Sequence, residues 1–166
     1  MERTVAAAGS DEPEGRRLQR VLVLAALAIA YFLAGKLGLH FAFVHASASA
    51  VWPPTGIALA ALLLLGRRAW PAVFAGAFLV NLTTSDSIPS SLGIAVGNTL
   101  EATVGALLVA RFANGVRAFE RPRDFAHFVL FGGLLCTAIS ATVGAATLAA
   151  SGQAAWAELG AIWLTW

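Results

Sequence analysis

Trp52-Pro53-Pro54-Thr55-Gly56-Ile57-Ala58-Leu59-Ala60-Ala61-Leu62-Leu63-Leu64-Leu65-Gly66-Arg67-Arg68-Ala69-Trp70-Pro71 is an apolar run, a two-arginine turn and the start of a second apolar run. The proline pair suits a helix start, where the first amides have no internal partner. Gly66 and the two arginines end that helix and turn the chain. Buried at the centre of a bilayer, each arginine would cost about 2.5 to 3.5 kcal/mol on insertion scales, so a re-entrant hairpin with its tip in the lipid is excluded. Basic clusters stay on the cytoplasmic face, which makes Gly66 to Arg68 a cytoplasmic turn between an inward and an outward crossing.

The other basic residues follow the same partition. Arg3, Arg16, Arg17 and Arg20 precede the first apolar run, and Arg111, Arg117, Arg121 and Arg123 follow the fourth. The intervening polar loops, His45 to Ala50 and Thr83 to Ser91, hold no lysine or arginine. Only Lys36 lies inside an apolar run. With 58% hydrophobic and 12% charged residues, the chain is far from the balance of a soluble globule. Its net charge of +2 comes from residues that flank helices rather than forming a face, which argues against nucleic-acid binding.

The expected fold is therefore all-α: a polytopic transmembrane bundle with five full spans and a truncated sixth. Residues 1–20 mix both charges and read as a disordered cytoplasmic tail, and residues 21–166 as one membrane domain. The run from Val21 to Val44 is too long for the apolar core of a signal peptide and predicts an uncleaved first helix of roughly 36 Å. Helices two and three, Pro53 to Leu65 and Ala69 to Leu82, are shorter than the ~20 residues usual for a span. Helix four is expected over Ile88 to Phe112 and helix five over Phe125 to Ala149, where Gly132, Gly133, Ser140 and Gly144 offer small contacts to neighbours. Ala154 to Trp166 begins a sixth crossing.

Helix four carries the sharpest pattern. Gly93, Gly97, Glu101 and Gly105 recur every four residues and share a stripe that lets another helix approach closely. Asn98 borders the same face. Glu101 lies about 15 Å from Arg111, near mid-bilayer, where a carboxylate needs a partner, water or a proton. It is read either as a packing lock inside the bundle or as a ligand- or proton-responsive group. Lys36 and His40 stand one turn apart on helix one, Lys36 at a depth within roughly 7 Å of Glu101. The two are candidate intramembrane partners for Glu101, the alternative being that Lys36 snorkels to the outer interface.

Trp52, Thr55 and Asn81 form the second constellation, either a stiff helix cap or the lining of an outward-facing cavity. No nucleophile triad, phosphate-cradling loop, paired carboxylates or zinc spacing is found, so neither catalysis nor a metal or other cofactor is expected. Cys136 reads as a small core residue.

Trp52 to Ala60 leading into Gly66-Arg67-Arg68-Ala69-Trp70-Pro71, then Gly76 to Asn81, Gly97 to Ala102 and Trp163 to Trp166, resemble the first membrane-associated sensor domain family of bacteria, over about residues 25–166. The resemblance implies an inner-membrane, multi-pass sensor module with a cytoplasmic amino terminus. It also implies further helices and a cytoplasmic histidine kinase or diguanylate cyclase after Trp166, so that the chain is expected to be an N-terminal part. Trp52, Asn81, Asn98 and Glu101 fall on its motifs. The expected function is signal input for a two-component or cyclic di-GMP system; a small transport or substrate-capture subunit is the alternative. Expected partners are the bilayer, a downstream signalling domain or partner membrane protein and a small signal, with a second copy of the chain as a further candidate.

Overall fold

The computed structural model describes residues 14–166, and every regular element among them is helical. Helices α1 (Glu14–Leu39), α2 (Pro53–Leu65), α3 (Trp70–Ser85) and α4 (Ile88–Phe112) come first. A continuous helical rod then runs from Pro122 to Ala150. It comprises α5 (Pro122–His127), a π-helical segment (Phe128–Leu135) and α6 (Cys136–Ala150), and α7 (Leu159–Thr165) follows it.

Three of these, α1, α4 and the Pro122–Ala150 rod, are long and apolar enough to cross a membrane. This corrects the expected count of five full spans and a cut sixth. α2 has 13 residues and α3 has 16, so they reach only about 20 and 24 Å. The cause is punctuation: Pro53 and Pro54 start α2, Gly66 at φ 80° ends it, and Pro71 starts α3. Past Ala155 the chain forms a 3-10 turn, Trp156–Glu158, and the seven-residue α7 instead of a straight half-span.

The first helix is displaced towards the amino terminus. Of the stretch read as a disordered tail, residues 14–20 belong to α1, whose first turn carries Glu14, favourable at a helix amino end; residues 1–13 lie outside the described residues. At the other end α1 stops at Leu39 rather than Val44. His40 Nδ1 turns back to the Lys36 carbonyl at 2.8 Å, and buried Ser49 donates from Oγ to the Gly38 carbonyl at 2.8 Å. Side-chain bonds thus satisfy the last carbonyls and bring the outer loop down onto the helix end. α4 has the boundaries its sequence predicts, Pro89 in its first turn and left-handed Asn114 just past its end.

α4 is the axis of the bundle. It packs on α2, α3, α6 and the π segment, while α1 lies against α2 and α3. Most of the buried apolar residues are alanines, among them Ala58, Ala77, Ala95, Ala102 and Ala145, whereas Ile29, Leu33, Leu64, Leu134 and Leu164 are exposed. Small residues inside and large ones outside is the arrangement for lipid, where close backbone contact rather than hydrophobic burial holds helices together.

Candidate functional site

Glu101 is the one carboxylate buried among the described residues, with 3% of its surface exposed. Two neighbouring helices reach its carboxyl group. Thr55, on the first turn of α2, and Thr137, on the first turn of α6, each donate from Oγ1 to Glu101 Oε1 at 3.2 Å. Ser140, one turn further along α6, lies beside the carboxyl group, as does Cys136. Proline-started α2 points its first turn at α4, and the rod passes α4 along the glycine stripe, so hydroxyls from both sides meet at one oxygen.

A second layer lies next to the acid. Tyr31 of α1 is fully buried beside Trp52, Asn98 and Glu101. Trp52 Nε1 and both amide atoms of Asn98 are buried without a hydrogen-bond partner among the described residues. The Tyr31 hydroxyl is the polar group that faces both side chains, so the acid is bordered by a buried Tyr31–Trp52–Asn98 layer with hydrogen-bonding capacity to spare. Asn81 is buried on α3. Its Nδ2 donates to the Ala77 carbonyl one turn back, while its Oδ1 is unpartnered.

The glycines of α4 seat α6, as their spacing predicts. A methyl on Gly93 would overlap the Thr147 side chain, and one on Gly97 would come within 3.1 Å of Val143 Cβ. Gly105 faces Cys136 and Leu59. On the rod, Gly132 meets Val109 and Gly144 lies under the Trp166 ring, but Gly133 faces open space.

Lys36 is not the partner of Glu101. Its ammonium donates to the Thr83 carbonyl at 2.9 Å and to Thr84 Oγ1 at 3.0 Å, closing the carboxyl end of α3. A cation there complements the helix dipole and keeps its charge at the outer edge, the snorkelling alternative. His40 stays with it, bonded to the Lys36 carbonyl, and neither reaches the acid.

Of the candidates, Trp52, Thr55, Asn98 and Glu101 come together. Tyr31, Thr137 and Ser140 complete the cluster; Ser140 was read from sequence only as a small packing contact, and the other two were not singled out. Tyr31 is the only tyrosine of the chain and interrupts an apolar run, which was a usable signal. Thr137 offered none, since a helical threonine ordinarily bonds the carbonyl one turn back, as it also does here to Gly133.

These features define a helical membrane domain organised around a buried acid and a layer of buried polar side chains. The chain belongs to the MASE1 family of membrane-associated sensor domains, whose model matches residues 21–166. No curated protein and no solved structure matches it.

Proposed function

We propose that this domain is the signal-input module of a bacterial inner-membrane signalling protein, and that Glu101 with Tyr31, Trp52, Asn98, Thr55 and Thr137 is where the signal is received. The buried carboxyl group, with Tyr31, Trp52 and Asn98 layered beside it, carries the reading. A small polar ligand, or a proton arriving at Glu101, would change which hydroxyls the acid holds. Thr137 belongs to the rod and Thr55 to α2, so any change at the acid alters the contact between α4 and two neighbours at once. Ser140 links the same place to the end of the chain, because Trp166 Nε1 donates to Ser140 Oγ at 2.9 Å. A ligand shifts such an equilibrium only by its differential affinity for the two packings, and the Gly93 to Gly105 stripe is the surface along which they would differ.

In this reading the amino terminus is cytoplasmic, the short hairpin α2–α3 crosses a locally thinned or tilted bilayer, and the last helix starts an inward crossing. The domain is not itself an enzyme; it acts on a histidine kinase or diguanylate cyclase joined to it or associated with it. Glu101→Gln in the full-length protein is expected to lock output at one level while leaving insertion and expression intact. Output that still follows the signal and external pH in that variant would reduce Glu101 to a packing residue. A reporter fused after Ser87 should report from outside the cytoplasm, and a cytoplasmic signal there would refute the topology.

A further inference from the structure

α1 begins with a stripe whose character changes along its length. Arg16, Gln19, Arg20, Val23 and Leu24 follow the i, i+3, i+4, i+7, i+8 spacing of one helix face, polar at the start and apolar one to two turns later. Across from this face stands the end of α2 with its arginine turn, contributing Leu65, Arg68 and Ala69. The two surfaces enclose a cavity of about 400 Å³. Its mouth holds guanidinium groups from two separate elements, its depth is hydrocarbon, and no carboxylate lines it among the described residues. Neither Arg16 nor Arg68 has an ion-pair partner among those residues. Trp70, two residues beyond Arg68 in the chain, is exposed, as suits a ring at headgroup level.

We propose that this cavity binds the phosphodiester headgroup of an anionic phospholipid, with an acyl chain along Val23, Leu24 and Leu65. Guanidinium forks match phosphate oxygens in pairs, which fixes the headgroup as well as attracting it. A basic pocket between helices at the cytoplasmic edge is the setting in which such headgroups are recognised. The apolar floor distinguishes the site from one for a free anion, which would have no use for it. Topology alone asks for positive charge near helix ends but not for convergence: Arg17, one position from Arg16, lies outside this cavity in a separate shallow groove with Glu14, Leu18 and Val21. The site occupies the joint between α1 and the α2–α3 hairpin, so lipid held there would fix the angle between them, whatever signal the domain receives.

The test is native mass spectrometry of the full-length protein released from nanodiscs of phosphatidylcholine doped with phosphatidylglycerol. Phosphatidylglycerol is expected to be retained in preference to phosphatidylcholine. The double variant Arg16→Gln/Arg68→Gln should weaken that retention at least tenfold, and Arg17→Gln should leave it unchanged. Arg68→Lys keeps the topological charge and loses the fork, so it provides a variant that inserts normally and should still bind several-fold more weakly. Equal retention of the two lipids, or an equal loss from Arg17→Gln, would overturn the proposal. Displacement by millimolar inorganic phosphate would also overturn it, by making the ligand a free anion.

Discussion

Glycine brings helices together in two places in this molecule, and it is used differently in each. Along the contact of α4 with α6, Gly93, Gly97 and Gly105 come at multiples of four and receive the small or branched residues Thr147, Val143 and Cys136. Where α1 meets α3 and the Trp52 segment, the glycines are irregular and their neighbours mixed: Gly76 of α3 faces Tyr31 and the Ala28 carbonyl, Gly35 of α1 faces Val80 with Trp52 behind it, and Gly38 faces the Val51 carbonyl, Pro53 and Trp52. The regular stripe repeats one kind of side-chain seat at successive turns, the geometry of a sliding surface. The irregular seats are sockets, bounded in part by the backbone carbonyls of Ala28 and Val51. The difference predicts that the α1–α3 half tolerates added volume less well than the α4–α6 half.

Substitution to alanine tests this contrast. Of Gly76, Gly38, Gly97 and Gly105, Gly76→Ala should have the largest effect, because its methyl would lie 2.8 Å from Tyr31 Cβ and 2.9 Å from the Ala28 carbonyl, atoms that move only with α1 itself. Overpacking of this kind costs about 1 to 3 kcal/mol. Unfolding in detergent, followed by circular dichroism, should show a clear drop in midpoint. Gly38→Ala follows: the obstacle is the Val51 carbonyl at 2.8 Å, which belongs to a loop that can give. Gly97→Ala should be milder in stability, its methyl 3.1 Å from Val143 Cβ, but should bias signalling output in the full-length protein. Gly105→Ala should be neutral or stabilising, since its neighbours stand at 3.5 Å and alanine gains about 1 kcal/mol over glycine within a helix. If Gly97→Ala proved more destabilising than Gly76→Ala, the assignment of socket and sliding surface would be reversed.

The same contrast explains what could be read in the sequence. Regular spacing within one helix is visible in a linear chain, so the stripe on α4, the limits Ile88 and Phe112, and the burial of Glu101 and Asn98 were all legible. Sockets are not visible, because Tyr31 and Gly76 lie on different helices and neither spacing implies the other. The end of α1 was illegible for a related reason: apolar residues continue to Val44, and what stops the helix is a bond from Ser49 in the returning loop. Lys36 was placed at the right depth for Glu101, but depth alone says nothing of direction, and the carboxyl end of α3 was the nearer acceptor. The number of full-length spans was set too high because apolar composition marks what lies in lipid, while prolines and Gly66 decide how far each helix runs before turning.

The π-helical segment Phe128–Leu135 stands immediately before Cys136 and Thr137. Wider winding turns each residue through a smaller angle than α winding does, so the segment acts as a phase shifter between the two ends of the rod. Thr137 and Ser140 face Glu101 because of that accumulated phase. Conversion of the segment to α geometry would turn α6 about its own axis and lengthen the rod, carrying both hydroxyls away from the acid. The winding of a segment that itself holds no bond to the acid thus sets which side chains of α6 the acid meets.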